Sequence, residues 1–93
     1  MTTITVKLFG VLRDRTKTNC VQVEGEKTIL RILEHLAELY GPEVRNLLLE
    51  EKDGKVNKRL PVVILINGIS QIDLGRIVED GETVTIFPAV AGG

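Results

Sequence analysis

The chain has 93 residues, 43% of them apolar but only 3% aromatic, with 12 Lys and Arg against 13 Asp and Glu. These totals describe one small domain whose core is built from Val, Ile and Leu, long enough to fold without metal or disulfide staples. A net charge of −1 with no run of one sign argues against a nucleic-acid binder, and a single cysteine excludes an internal disulfide or a cysteine metal cluster.

The start, MTTITVKLFG, lacks the basic and apolar segments of a secretory signal. No apolar run approaches the ~20 residues that span a bilayer. The expectation is a cytoplasmic protein with no membrane partner. ITVKLFGVL then alternates: Ile4, Val6 and Leu8 share one face and Thr5, Lys7 and Phe9 the other, the period of a strand. NCVQVEG, with Val21 and Val23 on one side, predicts a second strand, and the polar RDRTKT between them a loose hairpin loop. At TILRILEHLAELYG the period lengthens. Ile29, Leu33, Leu36 and Tyr40 fall on one face, with Arg31, Glu34, His35 and Glu38 opposite, which predicts an amphipathic helix. Thr28 suits its N-cap, because the hydroxyl can accept an N–H of the first turn, and Gly41 and Pro42 stop it.

EVRNLLLEE predicts a short second helix or a turn, and KDGK carries an Asp–Gly turn signal. LPVVILING is a near-continuous run of β-branched residues and predicts a central strand buried on both faces. Asn67–Gly68 turns the chain into a short edge strand, followed by a helical turn near Leu74 to Val78. Asp80–Gly81 leads into the last strand, TVTIF, with Val84 and Ile86 on one side and Thr83, Thr85 and Phe87 on the other. The fold class is therefore α+β: a mixed sheet of about five strands with one main helix packed on one face. The last strand lies parallel beside the first. A domain over residues 1–88 is followed by a flexible tail over residues 89–93.

That tail, PAVAGG with its proline, raises a chemical question. A carboxylate is a poor electrophile and must gain a leaving group before it reacts. An enzyme that adenylates it must hold ATP and carboxylate together in a dry, shaped site. Glycines enter a narrow channel because they carry no Cβ. Pro88 has no N–H and ends the sheet ladder. The five residues after it can reach about 17 Å, so a partner's active site could take the end while the domain stays outside.

VKLFGVLRD at the start, TILRILEHLAELYG as the long helix, VVILINGISQ in the middle and IVEDGETVTIFPAVAGG at the end together resemble the ubiquitin-like β-grasp sulfur carriers. Among these the chain is most similar to the small subunit of molybdopterin synthase, and it is also similar to the carriers of cysteine synthesis. The resemblance covers essentially the whole chain. It implies that an adenylating enzyme of the ubiquitin-activating type converts the Gly93 carboxylate to an acyl-adenylate, using ATP held by that partner. Sulfide then displaces AMP to leave a thiocarboxylate. It further implies that Gly92, Ala91, Val90 and Pro88 are the tail residues a partner binds. The larger subunit of molybdopterin synthase, or another sulfur-accepting enzyme, then receives the sulfur. The carrier itself binds no cofactor or metal and is a co-substrate rather than an enzyme, or the small non-catalytic subunit of one.

The alternation also predicts a docking face. If Ile4, Val6 and Leu8 face the helix, Phe9 faces away; Phe87 follows the same rule on the last strand. With one row of the middle strand, Val63 and Leu65, these rings would form an apolar patch on the uncovered side of the sheet. The opposite outcome is that the rings pack under a loop. Relatives dock partners through such a face, and the resemblance makes Arg13 a contact for an acidic partner. Cys20 is expected to be a small buried or half-buried hydrophobe, and His35 a solvated one. Three other readings stand beside molybdopterin synthesis: a sulfur donor for cysteine or another product, a modifier joined to lysines, and a β-grasp binding module without tail chemistry. The inserted EEKDGKVNKRLP, residues 50–61, makes the chain longer than a minimal carrier and has no assigned role.

Overall fold

The structure is a computed structural model and describes residues 3–25, 27–59 and 62–87. Its strands are β1 (Thr3–Leu8), β2 (Cys20–Glu24), β3 (Lys27–Thr28), β4 (Leu49–Lys52), β5 (Lys55–Lys58), β6 (Val63–Ile66), β7 (Ile69–Gln71), β8 (Ile77–Val78) and β9 (Thr83–Phe87). Its helices are α1 (Val11–Thr16), α2 (Ile29–Tyr40) and α3 (Pro42–Leu48). Five strands form the main sheet in the order β2-β1-β9-β6-β7. As the order of elements leads one to expect, β9 runs parallel to β1, with Val6 opposite Val84 and Leu8 opposite Ile86.

The helix-facing side of that sheet supplies Ile4, Val6, Leu8, Val23, Ile64, Ile66, Val84 and Ile86, all buried. Helix α2 lays Ile29, Ile32, Leu33, Leu36 and Ala37 onto them, and Leu12, Val44, Leu48 and Leu49 close the edges. Among the described residues the buried core holds no aromatic ring and no polar side chain, so dispersion contacts between branched aliphatics hold it together.

The start of α2 is fully satisfied. Ile29 N–H donates to the Arg76 carbonyl (3.0 Å) and Leu30 N–H to that of Leu74 (3.1 Å). Arg31 N–H donates to the Thr28 hydroxyl at 3.2 Å. Replacing that hydroxyl leaves one first-turn N–H without its acceptor. Thr28→Ala should therefore lower stability by about 1 kcal/mol, read as a shifted urea midpoint at unchanged slope.

Three expectations need correction. The segment after β1 is not a loose loop: Val11–Thr16 forms a short helix with Leu12 buried. Its turn is closed by the Thr16 hydroxyl donating to the Leu12 carbonyl at 2.8 Å and by left-handed Lys17. The run VVILI is not buried on both faces. It lies between β9 and edge strand β7, so only the α2 side is covered, and Val63 stays 41% exposed. The place at the centre of the sheet belongs to β9 instead. Ile77–Val78 is a strand rather than a helical turn, because it pairs with Lys27–Thr28 beside the start of α2. The Asp–Gly turn signal is borne out: the inserted stretch forms the β4–β5 hairpin, turning at Asp53–Gly54.

The approach to β9 is tied down by polar contacts. Asp80 accepts from Thr3 N–H at 2.8 Å, and Asn67 Oδ1 accepts from Thr83 N–H at 3.1 Å. Arg76 forks onto Glu82 through both terminal nitrogens, at 3.4 and 3.0 Å. The Glu79 N–H adds a third bond to the same carboxylate at 2.8 Å. The Arg76 bond first, and the Glu79 N–H second, hold the Glu82 carboxyl below its ordinary range; partial burial opposes them. A carboxylate whose folded pKa is lowered adds stability above the unfolded value and loses it as pH falls through the folded one. Wild type should thus be more stable than Glu82→Gln at pH 7. That gap should close as pH drops below the ordinary glutamate value of about 4.3, followed by thermal melts across pH.

Candidate functional site

Strand β9 delivers the chain to Phe87, the last described residue. There Val63 stands opposite Phe87 across the β6–β9 ladder. On the other side, Phe9 leaves β1 and lays its ring on that of Phe87, with centroids 4.8 Å apart and planes 18° from parallel. Gly10 makes this possible. Its φ of 60° turns the chain sharply from the strand into α1, a conformation side chains with a Cβ disfavour. The stack stays open to solvent: Phe9 is 37% exposed and Phe87 39%.

The rest of the uncovered face follows from strand register. One row crosses the sheet as Cys20, Lys7, Thr85, Leu65 and Ser70. The next holds Gln22, Thr5 and Thr83, with Gln22 Nε2 donating to the Thr5 hydroxyl at 3.1 Å. The apolar surface is therefore concentrated at the end where β9 finishes, and polar side chains cover the remainder. A shallow depression of about 260 Å³ adjoins the ring pair, lined by Lys7, Phe9, Arg13, Asn19 and Cys20.

Sequence reasoning places Phe9, Phe87 and Val63 together, and the structure agrees. The rings pack on one another rather than under a loop. Leu65 lies in the neighbouring row, half-buried. Arg13 reaches the edge of the same surface from the exposed side of α1. Cys20 corrects the expectation of a buried or half-buried residue: it is exposed, because it pairs with Lys7 on the outer face while Val21 and Val23 point inward. Lys7 was not singled out, although its position between Val6 and Leu8 carries the same outward signal as Phe9. His35 is half-buried rather than solvated. The tail candidates Pro88, Val90, Ala91, Gly92 and Gly93 lie outside the described residues.

Among the described residues no group of three or more His, Cys, Asp or Glu side chains is placed to hold a metal ion. No described helix is long and apolar enough to cross a membrane. The face has hydrophobic anchors with cations at its border. Such a surface can bind a partner.

Known proteins match this chain along nearly its whole length. The model of the ThiS family matches residues 6–93. The solution structure of small archaeal modifier protein 1 from Methanosarcina acetivorans is 27% identical, with a TM-score of 0.83 over 100% of this chain and 98% of that one. A chain in the crystal structure of the Amycolatopsis orientalis BexX/CysO complex is 30% identical, with a TM-score of 0.72 over 97% and 99%. A putative molybdopterin converting factor, subunit 1, from Pyrococcus furiosus is 19% identical, with a TM-score of 0.70 over 97% and 100%, a likeness of fold. Among curated proteins none matches the sequence.

Proposed function

The chain belongs to the ThiS family of ubiquitin-like sulfur carriers and modifiers, and from that premise we propose that it carries sulfur as a thiocarboxylate on Gly93. The observation that supports this reading most directly is the open Phe9–Phe87 stack at the point where β9 hands the chain on to PAVAGG. An exposed aromatic pair at that place gives a partner something to grip while it takes the tail.

The chemistry runs in two steps. The Gly93 carboxylate attacks the α-phosphorus of ATP held by an adenylating partner, giving an acyl-adenylate and pyrophosphate. Sulfide, released from a persulfide by a thiol reductant, attacks the acyl carbon and expels AMP. The domain's part is to bind and to present: it docks through Phe9, Phe87 and Val63, with Leu65 and Arg13 at the border, and feeds the tail into the partner's channel. Members of this family are generally non-catalytic, and here the catalytic groups and the ATP belong to the partner.

The sequence resemblance favours molybdopterin synthesis as the destination, with the larger synthase subunit as the acceptor. The 30% identity to a chain of the BexX/CysO complex supports a second reading, in which another sulfur-accepting enzyme takes the sulfur. The likeness to a small archaeal modifier supports a third, conjugation of Gly93 to a lysine. Intact-mass analysis tests the shared step. After incubation with ATP, a sulfide source and the host's adenylating enzyme, the protein should gain the difference between one sulfur and one oxygen. An unchanged mass, with the enzyme active on another carrier, overturns the thiocarboxylate reading.

A further inference from the structure

The turn between β6 and β7 is Asn67–Gly68, the one place in the chain where glycine follows asparagine. Both residues are left-handed, with φ of 50° and 85°, as the tightest hairpin turns require. Both are exposed. A Cβ placed on Gly68 would meet nothing within 4 Å, and the Gly68 N–H makes no hydrogen bond among the described residues. Asn67, by contrast, is held at two points by the first residue of β9. Its N–H donates to the Thr83 carbonyl at 3.0 Å, and its Oδ1 accepts from Thr83 N–H at 3.1 Å.

The turn therefore sets an open backbone nitrogen beside a restrained carboxamide. A nitrogen that follows asparagine can lose its proton to hydroxide and attack the side-chain Cγ. A new N–C bond closes a succinimide ring, and the Cγ–Nδ2 bond breaks as ammonia leaves. Water then opens the ring at either carbonyl, giving aspartate or isoaspartate, with no change of oxidation state. Glycine hinders this attack least, because it carries no Cβ. The reaction needs the Asn67 backbone and carboxamide to rotate until Cγ lies over the Gly68 nitrogen, and both bonds to Thr83 oppose that rotation. We propose that Asn67–Gly68 is a site of spontaneous deamidation that the contact with β9 holds closed, so that the modification accumulates on chains whose last described strand is unpaired. The two products differ in consequence. Aspartate keeps a side-chain oxygen for the Thr83 N–H. Isoaspartate adds one carbon to the backbone of the turn, which then no longer fits the register that sets Ile66 against Ile69 and Val84.

The proposal is independent of the tail chemistry, and its test uses the full chain alone. Wild type is incubated at mildly alkaline pH, once folded and once in guanidinium chloride. Peptide mapping by mass then locates each exchange of NH for O, and isoaspartate methyltransferase reads the isoaspartate. In the unfolded chain the modification should gather at Asn67 and spare Asn19, Asn46 and Asn57, which precede larger residues. In the folded protein the rate at Asn67 should be at least about tenfold lower, given what misplacing reacting atoms costs. Hydrogen exchange of the Thr83 amide should be slow in the unmodified folded protein and fast once isoaspartate has formed. Equal rates at Asn67 in the folded and unfolded chain overturn the proposal. So does a rapidly exchanging Thr83 amide in the unmodified folded protein. Modification of the unfolded chain that spares Asn67, or that falls equally on the other asparagines, overturns it as well.

Discussion

Deleting Gly93 should abolish sulfur loading on the proposed reading, while the fold and thermal stability stay as they are. The described core ends at Ile86, and every buried residue in it precedes the tail, so removing one terminal glycine should leave that described packing in place. The chemistry loses far more. The truncated chain ends on Gly92, and its carboxylate lies about 3.3–3.6 Å short of the position the full tail reaches. Adenylation requires reacting atoms about 3–3.5 Å apart and aligned, and even a 1 Å misplacement can cost about a hundredfold. The expected outcome is no mass gain and no sulfur transfer from a protein with a wild-type melting curve. Normal loading of the truncated chain would show that the acceptor atom is elsewhere, and the binding-module reading would replace the carrier.

The second large effect separates two neighbouring residues with opposite consequences. Ile86 is fully buried in the central strand, between Leu8 on one side and Ile64 on the other. Ile86→Ala leaves a cavity there and should cost about 2–5 kcal/mol, lowering the melting temperature by about 10 °C or more. Phe87 points the other way. Phe87→Asp removes a stack worth about 0.5–1.5 kcal/mol and should shift the melt by only a few degrees, yet weaken the adenylating partner's binding about thirtyfold or more. Calorimetry and binding measured on the same two variants check the pair. A Phe87→Asp protein that unfolds would mean the ring belongs to the core.

Why these residues could be assigned to faces beforehand is a matter of period. A strand sends alternate side chains to opposite sides, so Ile4, Val6 and Leu8 placed Phe9 outside, and Val84 and Ile86 did the same for Phe87. The same rule would have exposed Cys20, but the usual preference of cysteine for the interior was followed instead, and register overrode it. Helix α1 was not legible, because six residues with one buried leucine show no periodicity; its shape comes from the turns at Gly10 and Lys17. Strands β3 and β8, two residues each, exist only because folding brings Lys27–Thr28 against Ile77–Val78. The VVILI run misled for a different reason. Branched residues favour strands wherever they stand, and composition alone does not say whether a second layer covers the outer side.

The central place of β9 has a consequence for how the molecule is made. The strand that joins the two halves of the main sheet, β2-β1 on one side and β6-β7 on the other, is the last described strand to leave the ribosome. Until it does, neither half has its neighbour, and the long-range pairing of β1 with β9 must wait for nearly the whole sequence. A chain broken off before residue 83 lacks the strand that unites the sheet, so it should be cleared as unfolded rather than accumulate as a decoy for the activating enzyme. On the proposed reading, the ending would then be offered for activation only after the strand that unites the sheet has been made.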